Sequence, residues 1–335
     1  MGGVQIEGRK MSGSESGGIQ RVGLRPLGRT GRQVSELGLG CASYWARPGF
    51  PERRAREVFE TALACGITLF DTGGSYAGGE AERRLGRMLK ASRIDPDNLV
   101  IATKAGTRSD QNGRIGRDFS PAGINEQVDA SLQRLGLERI SLLQLHGPVP
   151  ADLTDELLTA LGHLRSEGKV QLLGVNAHTD ALEPAVGRAP FDVLMPFVSV
   201  VNAQNAALAR RAADAGQGVL AAEPLARMRF APPLARWLTR GSGLWYLARA
   251  LSQSRGRFDA RRHRCLRNAL AAPGWSRAQL ALGWVLGQPG ISSAVFGTTS
   301  PEHVRELALA CVSPVPQAVA NAIAACNREG PGDPG

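Results

Sequence analysis

The sequence predicts an α/β protein, a (β/α)8 TIM barrel with an N-terminal hairpin and a C-terminal helical extension. Three observations carry that reading. Short apolar or β-branched runs alternate with amphipathic helical segments along nearly the whole chain, and strict alternation of this kind implies a parallel sheet with right-handed crossovers. The 335 residues suit one closed barrel, for which roughly 250 residues is typical and insertions are common. The competing fold, an open dinucleotide-binding sheet, needs a Gly-rich phosphate turn after its first strand. The candidate turn, Gly38-Leu39-Gly40-Cys41-Ala42-Ser43, lacks the third glycine and is a weak signal.

Taken in order, residues 1–20 are polar and Gly-rich and read as a disordered tail, leaving 21–330 as a single barrel domain. VGLRPLGRTGRQVSELGLGC reads as a hairpin turning near Thr30-Gly31 and running into a strand at about 36–40. A helix at 51–65 leads to the strand 67–70, and a helix at about 79–91 leads to NLVIATK, 98–104. A loop and a helix at 120–135, with Ser120 as N-cap before Pro121, lead to ISLLQLH, 140–146. Helices at 152–167 and near 180–187 lead to KVQLLGV, 169–175, and FDVLMPFV, 191–198. A helix at 202–215 precedes GVLAAEP, 218–224, and an irregular helical insert fills about 232–271. The helix 276–287 leads to ISSAVFG, 291–297; SPEHVRELALAC forms the last barrel helix, and 316–327 is one more.

Composition narrows the function classes. No apolar run approaches the roughly 20 residues of a membrane span, and the N-terminus has no apolar centre of the secretory kind. Cys41, Cys65, Cys265, Cys311 and Cys326 are odd in number and widely spaced, without a CxxC pair. That pattern predicts free thiols, no zinc and a cytoplasmic protein. The net charge of +10 raises nucleic acid as a partner. The cations are nearly all arginines spread along the chain, and neither dense cluster is interleaved with the aromatics that single-strand binding needs. The expected partner is therefore a small molecule, with neither nucleic acid nor membrane; the oligomeric state is left open.

The chemistry lies at the strand ends. In a (β/α)8 barrel the active site forms at the C-terminal ends of the strands. Strand 67–70 ends in Asp71, the next in Lys104 and the next in His146, with Tyr76 in the Gly-rich loop after Asp71. A tyrosine at its ordinary pKa is a poor proton donor at neutral pH, and a nearby ammonium favours its phenolate. Asp71 would hold Lys104, and His146 would orient a carbonyl toward Tyr76. Singly, each residue has a structural reading: a helix-capping Asp, a surface Lys pair, a His bound to a buried carbonyl. Together they suit protonation of the alkoxide formed when hydride reaches a carbonyl. This group of residues lacks the second carboxylate for glycoside hydrolysis and the ligand set for a metal. At the last strand, Gly297-Thr298-Thr299 exposes N–H groups before Ser300 and Pro301, a phosphate cradle or an ordinary capped helix start.

FDTGGSY with GGEAERRLG, VIATKAG, LLQLHGP, LLGVN and GTTSPEHV, in this order, resemble the aldo-keto reductase superfamily over about residues 23–313. The resemblance implies Tyr76 as proton donor, Asp71 and Lys104 as its tuning pair, and His146 as the carbonyl-orienting group. It implies NADPH, or NADH, bound without a Rossmann fold. Asn176, Glu223-Pro224-Leu225-Ala226, Gly297, Thr298, Thr299 and His303 align with cofactor-binding positions. Several positions depart from the family pattern. Asn176-Ala177 replace Ser-Asn, Met195 a glutamine and Ala222 the aromatic that stacks on nicotinamide. Gly297 and His303 replace the lysine and arginine that many relatives use for a 2′-phosphate, and Leu307 replaces an asparagine. His178 reads either as a substitute polar group or as an exposed loop residue; His163 and His263 read as structural or surface. The alternatives to a carbonyl reductase are a cofactor-binding regulatory or non-redox member of the fold, and a tailoring enzyme for a keto-sugar or secondary metabolite. In the last case Trp245 and Tyr246 of the insert would line the pocket.

Overall fold

The computed structural model describes residues 19–42, 44–109, 114–226 and 260–328. Residues 1–18 of the expected tail, Ser43, and the part of the insert that holds Trp245 and Tyr246 lie outside the described residues.

Hydrophobic alternation builds the barrel. The strands are β1 (Leu24–Pro26), β2 (Gln33–Ser35), β3 (Leu37–Gly40), β4 (Leu69–Asp71), β5 (Val100–Ala105), β6 (Thr107–Ser109), β7 (Ile115–Arg117), β8 (Ile140–His146), β9 (Val170–Asn176), β10 (Val193–Met195), β11 (Gly218–Ala222) and β12 (Ser293–Phe296). β3, β4, β5, β8, β9, β10, β11 and β12 close into one barrel in that order, with β12 returning to β3. Every pairing in it is parallel.

One side-chain set fills the barrel interior: Leu69, Val100, Ala102, Leu142, Val193, Met195, Leu220 and Val295 among others. A larger cluster packs the outer strand faces against the helices, since strands covered on both faces read as near-continuous apolar runs. The antiparallel β1–β2 hairpin plugs the N-terminal end of the barrel. Its Leu27 and Val34 are fully buried in the interior cluster, and Arg29 N–H donates to Gly216 O at 2.8 Å. Gly28 makes that approach possible: its φ is +56°, and a Cβ there would lie 2.4 Å from Gly218 N.

Helix starts follow the expected capping chemistry at some places and not at others. Ser120 Oγ accepts from Gly123 N–H at 3.1 Å at the head of Pro121–Leu135. Ser276 and Gln279 form a reciprocal capping box on Arg277–Leu286. Ser300 does not cap Pro301–Ala308; its hydroxyl turns to the Glu302 carboxylate. The segment near 180–187 is a single turn, Thr179–Leu182, followed by a 3-10 turn, Glu183–Ala185, because Pro184 cannot donate within a longer helix. The stretch after β5, expected as a loop, contains the β6–β7 hairpin.

The cysteine expectation is corrected. Cys265 and Cys326 form a disulfide, with Cα atoms 5.8 Å apart; Cys41, Cys65 and Cys311 are free. The two half-cystines stand 61 residues apart in sequence. They meet because the helix Ala260–Ala269 packs against the C-terminal helix Gln317–Arg328 around Leu266, Leu270, Val319 and Ile323. The pairing removes the thiol argument for a cytoplasmic location. Among the described residues no helix is long and apolar enough to cross a membrane.

Candidate active site

Register decides which side chains face each other at the rim. Asp71 is level with Ala102, and Lys104 stands two residues farther along β5 on the same face, level with Gln144. His146 stands two beyond Gln144, level with Asn176, which is level with Met195. The stagger of a tilted barrel thus makes Lys104 reach back toward Asp71. Its ammonium donates to Asp71 Oδ1 at 2.7 Å, to Oδ2 at 2.6 Å and to Thr72 O at 2.7 Å. Both residues are nearly sealed from solvent, at 2% and 5% exposure.

A fully donating ammonium in so dry a place is costly unless paired. Burial works against the Lys104 charge, yet Asp71 and Tyr76 outweigh it and hold the amine above its usual range. Burial pushes the Asp71 carboxyl up, against the pull of Lys104 and Gln144. Gln144 is the partner that sequence reasoning missed: its Nε2 donates to Asp71 Oδ1 at 3.0 Å. The signal was present, since Gln144 is a polar residue in an apolar strand, two positions before His146 and so on the same face.

Tyr76 completes the group. The Lys104 ammonium lies 5.2 Å from the centre of its ring. The His146 ring meets it edge-on, with centroids 5.5 Å apart and planes at 88°. The loop is braced by a part-buried ion pair. Glu82, fully sealed, accepts from Arg134 Nε at 2.5 Å and from the Thr103 hydroxyl. Arg134 in turn lies against Gly74 and Gly79, where a side chain would collide with it. His146 Nδ1 lies 2.7 Å from Thr107 Oγ1. Burial, with the nearby Lys104 charge, pulls its pKa down to about 4. The imidazole is therefore neutral at neutral pH.

Elsewhere on the rim, the Asn176 amide donates to Met195 O at 2.9 Å. Met195 and Ala222 belong to the apolar barrel interior, and Ala222 forms a parallel bridge with Phe197. His178 is exposed and stacks on Phe197, centroids 4.8 Å apart. His263 is buried and His163 lies on the helix Asp155–Ser166. Glu223 and Ala226, which flank Pro224 and Leu225 after β11, both have positive φ, and Leu225 and Ala226 pack into the cluster around the disulfide helices.

After β12, Gly297 is exposed and a Cβ there would meet nothing nearer than Gly40 O at 3.6 Å. Thr298 Oγ1 lies 3.0 Å from His303 Nδ1 and accepts from Ser300 N–H at 3.1 Å. Leu307 is buried in the main core and faces away from solvent. An open glycine followed by backbone N–H groups at the head of the helix Pro301–Ala308 suits a pyrophosphate-bearing dinucleotide.

A closed barrel whose rim gathers Asp71, Tyr76, Lys104 and His146 suits the aldo/keto reductase family, and the sequence model of that family matches residues 36–328. The chain belongs to the aldo/keto reductase family. It is 28% identical over 303 residues to the NADH-specific methylglyoxal reductase of Escherichia coli, covering 84% of this chain and 91% of that one. It is 28% identical over 298 residues to L-galactose dehydrogenase of Arabidopsis thaliana, covering 86% and 88%. Among solved structures, the holo form of the aldo-keto reductase AKR11C1 from Bacillus halodurans superposes with a TM-score of 0.76 at 25% identity, covering 91% of this chain and 96% of that one. As an aldo-keto reductase the protein is an NAD(P)-dependent oxidoreductase that interconverts carbonyl compounds and alcohols.

Proposed function

We propose that this aldo-keto reductase reduces a small aldehyde or ketone with Tyr76 as proton donor, Lys104 and Asp71 as its tuning pair, and His146 as the group that orients the carbonyl. The observation that carries the reading is the Asp71–Lys104–Tyr76 contact, a paired ammonium held against a phenol ring beside a neutral imidazole. A bound nicotinamide dinucleotide supplies the hydride. Its pyrophosphate would lie on Gly297, Thr298 and Thr299 and along Glu223 to Ala226, and its carboxamide near Asn176.

The chain's own residues divide the remaining work. The neutral His146 donates a hydrogen bond to the substrate carbonyl and turns its oxygen toward Tyr76. As negative charge grows on that oxygen, the Tyr76 phenol passes its proton to it. The Lys104 charge stabilises the phenolate left behind, and Asp71 keeps Lys104 charged and fixed. In the oxidising direction the same phenolate takes the alcohol proton.

The sequence reading puts NADPH first and NADH second. Glu302 favours the reverse order. Its carboxylate stands in the first turn of the phosphate-side helix, takes the Ser300 hydroxyl and pairs with Arg54 at 3.3 Å. Negative charge there opposes a 2′-phosphate and absorbs a nearby cation. Titration with NADH and NADPH, read by quenching of tryptophan fluorescence, tests this directly, and tighter binding of NADPH would reverse the assignment. The altered nicotinamide contacts favour one other reading, a regulatory member that binds cofactor without turnover. Tyr76→Phe separates the two: it abolishes carbonyl reduction and leaves cofactor affinity nearly unchanged if the proton-donor role is right. Retained reduction would refute the role, and a wild-type protein inert on a broad carbonyl panel would favour the regulator.

A further inference from the structure

Thr107 and Ser75 belong to neither the reacting group nor the cofactor cradle, yet both hydroxyls are buried beside them, at 9% and 6% exposure. Ser75 Oγ lies 3.0 Å from Thr107 Oγ1, and Thr107 Oγ1 lies 2.7 Å from His146 Nδ1. Ser75 sits at the N-cap position of the one-turn segment Tyr76–Gly79 but makes no capping bond. Among the described residues its hydroxyl has no partner other than Thr107.

We propose that Thr107, backed by Ser75, is a positioning residue that fixes the His146 tautomer, so that Nδ1 accepts and Nε2 carries the proton offered to the substrate carbonyl. This rests on the reductase reading for its purpose, but not for its geometry. Donor counting sets the direction of the chain. Each hydroxyl has one hydrogen to give. If Ser75 donates to Thr107 and Thr107 donates to Nδ1, every buried hydrogen is used and Nε2–H remains for a ligand. If instead Nδ1–H donated to Thr107, Thr107 would donate to Ser75, and the Ser75 hydrogen would be left buried without an acceptor, which is the costly outcome. Protonation of both nitrogens is opposed by the burial and by the Lys104 charge that hold His146 neutral. The relay also ties the two sides of the site together, because Ser75 directly precedes Tyr76 while Thr107 leads the β6–β7 hairpin that follows Lys104.

The test reads the tautomer itself. Long-range 1H–15N correlation spectra of 15N-histidine-labelled protein contain signals from only five histidines, and His146→Gln identifies the one of interest. At pH 7 the wild-type signal is expected in the Nε2–H form. Thr107→Val should shift it toward a tautomer mixture and lower kcat about tenfold, the scale of one neutral hydrogen bond, with little change in cofactor affinity. Thr107→Ser should restore both the spectrum and the rate. A wild-type Nδ1–H signal overturns the proposal, and so does a Thr107→Val spectrum identical to wild type. If Thr107→Val fails to fold, the wild-type spectrum and the Thr107→Ser variant still decide. A protein that binds no dinucleotide yet shows the Nε2–H form would refute the reductase reading and leave the relay standing.

Discussion

Replacing Lys104 by methionine removes the ammonium beside Tyr76 while keeping most of the aliphatic volume. Two effects follow, and they are separable. At an effective dielectric constant of about 20, a unit charge 5.2 Å from the ring favours the phenolate by about 3 kcal/mol, roughly a hundredfold in the phenol–phenolate balance. In the proposed mechanism alcohol oxidation uses that phenolate as its base, so the alkaline rise of its rate–pH profile should move up by about two pH units, and carbonyl reduction near neutrality should fall about a hundredfold. Separately, the variant leaves Asp71 buried with Gln144 as its remaining hydrogen-bond donor. Breaking a buried ion pair on one side costs about 3–5 kcal/mol, visible as a lower midpoint in urea unfolding. The double variant Asp71→Asn/Lys104→Met removes both charges and should recover most of that stability. It should not recover the rate. Steady-state kinetics from pH 6 to 10, alongside the unfolding curves, distinguish the two effects. A single variant with a wild-type pH profile would refute the electrostatic coupling, and a double variant with restored turnover would show that the loss was structural.

Other outcomes follow from the same geometry. His146 is a base whose folded-state pKa, about 4, lies below its usual 6.5. Its penalty is absent above pH 6.5, grows as pH falls from 6.5 to 4 while the unfolded chain takes up the proton, and is constant below. The stability lost over that window is no more than about 3 kcal/mol, and its absence in pH-dependent unfolding of wild type against His146→Gln would contradict the neutral assignment. Arg134→Met leaves the Glu82 carboxyl sealed beneath the Tyr76 loop without its ion-pair partner, so thermal unfolding should register a loss of about 3–5 kcal/mol, whereas a change within 0.5 kcal/mol, roughly the scale of surface substitutions, would sink that role. Reducing the Cys265–Cys326 bond frees a loop spanning 61 residues, worth about 4 kcal/mol on the chain-entropy account; unfolding of the helix pair unchanged by reductant would argue against the bond's contribution.

The strand ends at Asp71, Lys104 and His146 were legible because each closes an apolar run, and a barrel carries such residues to one rim whatever the details of packing. The Gly-rich loop marked Tyr76 for the same reason. Gln144 was half legible: period two places it on the His146 face, but that it answers Asp71 depends on register between β4, β5 and β8. Ser75 and Thr107 gave no signal, since lone hydroxyls in a loop and a short hairpin are the ordinary content of loops.

Local periodicity, capping residues and the order of polar strand ends therefore determine the barrel and the neighbourhood of its chemistry, because these depend on interactions a few residues apart. The stagger that lets the Lys104 amine fold back to Asp71, the hydroxyl chain behind His146 and the Cys265–Cys326 bond were decided only in three dimensions. Each joins segments brought together by helix packing or barrel closure, at sequence separations where no local pattern carries information about distance.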